Sequence, residues 1–306
     1  MIERGNKDWR LMSRPRLDFI KETPRSSEFD DDYYSPEDGL AESTYVFIEG
    51  GDVINRMRAL QAGETLTIGE LGLGTALNLA LILQAWSEHG PAGARCHVIT
   101  IEKHPLSRSQ LRAASARWTS LIQEFETILQ RWPSPIPGCH RRSELIDGLT
   151  VDFWWEDVSD ALDDLESYGN RWIDVWFLDG FTPSRNEAMW TEDVLRGVAN
   201  LSRDTAHATT FTASGDVRRS LEHVGFKVSK RPGFGRKREC LHGVLDLALA
   251  ENEEQVAPVR PTAWDQPACT EKPQSCLILG AGLAGSHIAR RLAERNCNVT
   301  VLARGT

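Results

Sequence analysis

Short apolar runs and longer amphipathic stretches alternate along the first 249 residues. Five of the runs are short and bounded by turn residues, which predicts strands at Thr65–Glu70, His97–Glu102, Leu149–Trp155, Trp172–Asp179 and Ala206–Thr212. Between them, apolar residues at helical spacing predict helices over Ala76–His89, Pro105–Trp132 and Asp216–Val224. Alternation of this kind builds an α/β, doubly wound fold, a parallel sheet with helices on both faces. It stops near the end of this body. Phe226–Arg231 and Glu239–Leu249 are strand-like runs around the Gly- and base-rich loop PGFGRKR, which predicts a C-terminal antiparallel hairpin.

From about Ala250 to Gln274 the chain is first acidic and then dotted with proline, without either periodicity, and reads as a linker. It divides a body, residues 1–249, from a tail, residues 275–306. Composition narrows the class: 306 residues, 41% hydrophobic and 26% charged, exclude a wholly disordered chain, a collagen or a disulfide scaffold. A net charge of −9 argues against a non-specific coat on duplex DNA but leaves room for a local basic patch on RNA. The six cysteines show no C-x-x-C spacing, so we expect thiols in a reducing compartment and no metal site. The N-terminal residues are mixed and charged, and the most apolar stretch, Leu77–Ala85, is far short of the roughly 20 residues of a membrane span. The expectation is a cytoplasmic protein with no membrane contact.

Candidate chemistry begins at the first strand-to-helix turn, Glu70-Leu71-Gly72-Leu73-Gly74-Thr75-Ala76. Glycines there let the backbone turn sharply and approach a ligand closely, with helix amides facing the crevice. Glu102 ends the next strand, where a carboxylate can accept both hydroxyls of a ribose. Asp157 ends the third strand, where a carboxylate or neighbouring amide could read an adenine edge, and Asp179 ends the fourth. Carboxylates at successive strand ends converge on the crevice where open α/β sheets bind ligands. A nicotinamide dinucleotide remains an alternative, since Glu102 would serve its ribose equally. Against it, the third glycine of G-x-G-x-x-G is missing, and Glu70 would repel a pyrophosphate while suiting an ammonium. With the closing hairpin, E-x-G-x-G resembles the class I S-adenosylmethionine-dependent methyltransferases.

Longer segments carry a more specific likeness: Phe29–Gly50, Ile68–Thr75, Pro137–Arg141, Val175–Thr191, Thr210–Leu221 and Gly233–Glu239. Together they resemble the methyltransferase domain of the MnmC family of bifunctional bacterial tRNA-modifying enzymes, over about Phe29–Leu245. The resemblance implies methylation of 5-aminomethyl-(2-thio)uridine at the wobble position of the anticodon loop, giving 5-methylaminomethyl-(2-thio)uridine. The tail, with Gly280-x-Gly282-x-x-Gly285 between two strand-like runs, resembles the opening of the same family's FAD-dependent oxidase domain. One strand–helix–strand unit cannot bury its own faces. We therefore expect no firm FAD binding and no oxidase activity from this chain, FAD being expected only of an intact oxidase domain.

Within that reading Asp179 is the candidate for accepting a proton from the amine or orienting it, since a primary alkylamine is largely protonated at neutral pH. Asp30, Asp31 and Tyr34 are expected to line the same pocket. Phe181, with Trp190 and Phe234, is placed to stack on a flipped base. Phosphate contacts are expected from Arg218, Arg219, Arg236, Lys237 and Arg238, with Lys227, Lys230 and Arg231 nearby and Arg141 and Arg142 as a further group. Another methyl acceptor, a protein or small molecule, stays open, because a fold never settles a substrate.

Overall fold

A computed structural model of the chain describes residues 12–20, 23–167, 169, 171–235, 237–249, 275–294 and 297–303. The chain divides into two compact units, Met1–Pro261 and Thr262–Thr306. The expected linker lies outside the described residues.

The first unit opens with a small antiparallel sheet, β1 (Leu17–Ile20), β2 (Thr23–Ser26) and β3 (Asp31–Asp32). Short helices follow: α1 (Gly39–Ser43), a π-helical turn (Thr44–Glu49) and α2 (Val53–Ala59). The body then alternates: β4 (Thr65–Leu71), α3 (Leu77–His89), β5 (Arg95–Glu102), α4 (Arg108–Ser115) and α5 (Ile122–Arg131). It continues as β6 (Gly138–Ile146), β7 (Leu149–Trp155), α6 (Val158–Glu166), β8 (Ile173–Leu178), α7 (Glu192–Leu201) and β9 (Ser202–Thr210). The end is α8 (Gly215–His223) and the hairpin β10 (Phe226–Pro232) and β11 (Glu239–Leu245).

The eight-stranded sheet runs β10-β11-β9-β8-β4-β5-β7-β6. Its five central strands are parallel, and the hairpin returns so that β11 lies antiparallel against β9. The doubly wound sheet and its closing hairpin are thus present as expected. Side chains alternate across the strands, and each face has its own core. Val175 and Phe177 of β8 pack with Leu79, Ile82 and Trp155 on one face, while Trp176 and Leu178 pack with Leu162, Val194 and Val198 on the other.

Several local expectations differ, among them the strand expected over Ala206–Thr212, which runs over Ser202–Thr210. The single helix over Pro105–Trp132 is broken: α4 ends at Ser115, and Trp118 leaves helical geometry to pack against Tyr34, with Arg117 stacked over its ring at 4.7 Å. Strand β6 has no counterpart among the expected elements. It is an edge strand of mostly polar residues, paired only with β7, and so has no apolar run to betray it. The second hairpin strand stops at Leu245, four residues short of the expected end.

The second unit is β12 (Ser275–Leu279), α9 (Leu283–Ala293) and β13 (Asn298–Leu302), with its two strands parallel. Leu279 and Leu283 are 79% and 96% exposed. Among the described residues no helix is long and apolar enough to cross a membrane.

Candidate active site

Strand β4 sits beside both β5 and β8, so the chain winds outward in opposite directions from it. Its C-terminal end is therefore the topological switch point. A cavity of about 290 Å³ lies there. Its floor is the turn between β4 and α3, where Gly72 has φ +84° and a Cβ would fall 2.6 Å from the Asp179 carbonyl oxygen. Gly74, at φ +52°, would press a Cβ to 3.2 Å from the Tyr33 ring. Both positions need glycine for conformation and for close approach.

Glu102 leaves the end of β5 and accepts from two amides, Gly74 N at 3.0 Å on Oε2 and His104 N at 2.7 Å on Oε1. Asp157, beyond β7, caps α6 by accepting from Ser159 N at 3.0 Å and pairs with Lys103 Nζ at 2.9 Å. Burial opposes the charge on Asp157, and Lys103 and the Ser159 amide overcome it and hold its pKa below the usual carboxylate value. Asp179 stands at the end of β8. Its Oδ1 accepts from Gly180 N at 2.9 Å and its Oδ2 from Asn78 Nδ2 at 2.9 Å. Burial pushes the Asp179 carboxyl up to about 7.

The structure thus brings Gly72, Gly74, Glu102, Asp157, Asp179, Tyr34 and Phe181 to one cavity. Glu70 is not on its wall. The Glu70 carboxyl is fully enclosed behind the turn, accepting from Thr100 Oγ1 at 2.7 Å, and burial pushes it up to about 8. A direct contact between Glu70 and a ligand ammonium in the cavity is therefore not what this geometry offers.

The N-terminal segment roofs the cavity. Phe29 stacks on Phe181 with centroids 4.7 Å apart, and Tyr33 meets Phe181 edge-on at 5.1 Å. Asp31 lies outside the cavity but fastens the roof, its Oδ2 accepting from Thr182 N at 2.9 Å. Asp30 also faces away from the cavity, paired with Arg25 at 2.5 Å and Arg185 at 3.3 Å. Tyr34 donates from its hydroxyl to the Ala114 carbonyl at 3.1 Å. Sequence reasoning missed Asn78, Tyr33 and Phe29. Only Asn78 carried a signal, a lone amide in the otherwise apolar start of α3.

The cavity is acidic. Glu28, Asp32, Glu102, Glu156, Asp157 and Asp179 line it, and among the described residues Lys103, already paired with Asp157, is the lining lysine or arginine.

The basic residues lie elsewhere, and most are paired. Arg218 meets Glu222 at 3.3 Å, Arg219 meets Asp216, and Lys237 meets Glu42 at 2.7 Å while covering the Phe211 ring. Lys227 and Lys230 pair with Asp246 and Glu239, each at 2.6 Å. Arg238 is exposed, and Arg236 lies outside the described residues. Arg141 turns inward to the buried Asp152, and Arg142 donates to the Arg131 carbonyl at 2.7 Å. Trp190 is buried, with its indole nitrogen donating to the Phe181 carbonyl at 3.0 Å, so it supports Phe181 and offers no open stacking face. Gly280, Gly282 and Gly285 belong to the second unit. There a Cβ on Gly285 would overlap the Gly280 carbonyl oxygen, which explains the third glycine by helix–strand packing.

Comparisons with known proteins agree with this geometry. Residues 119–246 match the family described as S-adenosyl-L-methionine-dependent methyltransferase. The chain is 37% identical over 289 residues to the tRNA 5-methylaminomethyl-2-thiouridine biosynthesis bifunctional protein MnmC of Chromohalobacter salexigens, covering 94% of this chain and 40% of that protein. The protein of the same name from Pseudomonas entomophila is 40% identical over 297 residues, covering 96% of this chain and 43% of its own length. The chain therefore spans less than half the length of these curated relatives. Among solved structures, MNMC2 from Aquifex aeolicus shares the fold, with a TM-score of 0.59 at 22% identity over 85% of this chain and 75% of that one.

Proposed function

We propose that the chain is the methyltransferase part of an MnmC-like protein and that its first unit moves a methyl group from S-adenosylmethionine to the primary amine of 5-aminomethyl-(2-thio)uridine at the wobble position of a tRNA. The observation that carries this reading is the charge of the cavity: among the described residues, six carboxylates with one paired lysine. Such a wall favours cationic ligands and repels a pyrophosphate. A sulfonium donor bearing an ammonium group fits it, as does an alkylammonium acceptor. A nicotinamide dinucleotide does not.

The residues divide the work. Glu102, held by two amides at the end of β5, serves the ribose hydroxyls of the donor, and Asp157 and its neighbours the adenine edge. Bound S-adenosylmethionine supplies an electrophilic methyl carbon on a positive sulfur. Asp179, with its pKa raised toward neutrality, takes up the proton of the acceptor ammonium, freeing the nitrogen lone pair. S-adenosylmethionine held by Glu102 and Asp157 would supply its methyl carbon to that lone pair, an N–C bond replacing the S–C bond and leaving a neutral thioether. Loss of the cationic sulfur weakens the product's attraction to the acidic wall, which favours release. Phe181, stacked on Phe29, stands at the rim where a flipped uracil would rest. The exposed Arg238 and the paired bases of α8 and the hairpin are the candidates for phosphate contacts, in a cytoplasmic enzyme.

Calorimetric titration with S-adenosylmethionine and, separately, with NAD tests the donor. The proposal expects micromolar binding of the first, lost in Glu102→Ala, and none of the second. Tight NAD binding without S-adenosylmethionine binding would overturn it.

A further inference from the structure

The eight-stranded sheet ends in two edges, the hairpin strand β10 and the polar strand β6. Lysines at the hairpin edge are spent on carboxylates. The arginines around β6 are not. Arg108 opens α4, Arg131 closes α5 and Arg142 stands in β6. Arg142 donates from Nε to the Arg131 carbonyl at 2.7 Å and from Nη1 to the Arg141 carbonyl at 3.1 Å. Arg108 donates from Nη2 to the Trp132 carbonyl at 3.2 Å. The carbonyls of Arg131 and Trp132 are consecutive, so both guanidiniums meet at the end of α5, beside the Arg131 side chain.

Carbonyls are neutral, so these bonds orient the guanidiniums without cancelling their charge. Among the described residues none of the three arginines forms an ion pair. Burial, and then the charges of Arg131 and Arg108, hold the Arg142 pKa below its usual value. A guanidinium has five N–H donors, and each of the three keeps several unspent.

The patch continues toward the cavity along the N-terminal segment. Met12 N donates to the Pro135 carbonyl at 2.8 Å, just beyond α5. Ser13 Oγ shares a hydrogen bond of 2.8 Å with His104 Nδ1, and Gln110 Nε2 of α4 donates to the Pro15 carbonyl at 2.8 Å. Pro15 and His104 line the cavity. Arg14 and Arg16 flank Pro15, both exposed and, among the described residues, without an ion pair. Glu126 of α5 is already taken by Arg112, at 3.3 Å.

A row of guanidiniums spread over two helices, an edge strand and the N-terminal segment does not converge on one small anion. It fits successive phosphates of a polynucleotide, each able to accept from a guanidinium fork. The acidic cavity repels phosphate, so a backbone held along this row stays outside while a single base enters. We propose that Arg14, Arg16, Arg108, Arg131 and Arg142 form a track for tRNA phosphates that leads from the β6 edge to the cavity, on the side away from the hairpin. The choice of tRNA as the polynucleotide rests on the methyl-transfer reading above.

Arg14→Ala combined with Arg131→Ala is the test variant, because neither side chain bonds to another described residue. Anisotropy of fluorescein-labelled tRNA from cells lacking this modification is read between about 50 and about 200 mM salt. The variant should bind about tenfold more weakly, with a salt slope reduced by about two and unchanged calorimetric affinity for S-adenosylmethionine. Arg203→Ala, at the end of β9 away from the cavity, should keep the wild-type slope. An unchanged slope in the double variant, with wild type still methylating tRNA, overturns the track and leaves the methyl-transfer reading standing. Arginine-dependent binding without methyl transfer by wild type supports the track and overturns that reading. Failure of wild type to bind tRNA, or equal arginine-dependent binding of polyglutamate, overturns the track.

Discussion

Replacing Arg141 with alanine should destabilise the fold. Asp152 is almost wholly buried, and its carboxylate accepts from Arg141 Nε at 2.7 Å, Arg141 Nη2 at 2.6 Å and His97 Nε2 at 2.9 Å. Burial works against that charge, and the hydrogen bonds from Arg141 and then His97 overcome it, holding the carboxyl down to about 2. Against an ordinary value near 3.8, that difference corresponds to about 2 kcal/mol of stability at neutral pH. Orphaning a buried charge costs about 3–5 kcal/mol, but His97 remains as a partner, so about 3 kcal/mol is the expectation. In a domain of this size that lowers Tm by roughly 6–12 °C. The contribution is whole above the unfolded carboxylate value and is lost as pH falls toward 2, so the penalty of Arg141→Ala shrinks in acid. Thermal denaturation followed by circular dichroism at pH 7 and pH 3.5 reads both effects. The double variant Arg141→Met with Asp152→Leu, which removes both charges, should recover much of the stability. A variant that melts within about 2 °C of wild type while losing tRNA affinity would refute the reasoning and return Arg141 to the RNA surface.

Gly72→Ala must place a Cβ 2.6 Å from a backbone oxygen at φ +84°, so donor affinity should drop at least tenfold in calorimetry, a loss of about 1.4 kcal/mol. His207 and His242 face each other across β9 and β11, with Nδ1 and Nε2 3.4 Å apart. Burial, then Arg56 for His207 and Arg231 for His242, depresses both pKa values, His207 to about 4. Their contribution is therefore present above the unfolded value near 6.5 and lost as pH falls below it. The slope is at most about 1.4 kcal/mol per pH unit for each proton gained on unfolding, and denaturant titrations from pH 7 to pH 5 should show it reduced in His207→Gln. Replacing Arg219 and Arg238 with alanine should weaken tRNA binding and reduce the salt slope by about one for each phosphate no longer neutralised.

The parallel core was legible because its strands are buried on both faces and read as unbroken apolar runs, and the acids at their ends stand out against them. Glu102 and Asp179 could be found that way. Strand β6 could not, because an edge strand needs only one paired side and GCHRRSELI spends its side chains on polar contacts. The break between α4 and α5 depends on Trp118 reaching Tyr34, a partner far away in sequence. Arg141 looked like a free surface base for the same reason: its partner Asp152 lies directly opposite on the neighbouring strand, so the two side chains share one face of the sheet. Glu70 stood in the right motif, but sequence spacing cannot tell a carboxylate on a cavity wall from one sealed behind it.

The central claim is that Asp179, at the inner end of an acidic cavity, receives the proton of an amine on tRNA as that amine is methylated. Its most direct test is transfer of labelled methyl from S-adenosylmethionine to tRNA from cells lacking this modification, with nucleoside analysis, for wild type and Asp179→Asn. The account predicts a labelled 5-methylaminomethyl-(2-thio)uridine with wild type and at least a hundredfold slower formation with Asp179→Asn, about 2.7 kcal/mol of barrier. Donor binding without any labelled wobble nucleoside, or equal rates from the two proteins, would contradict it.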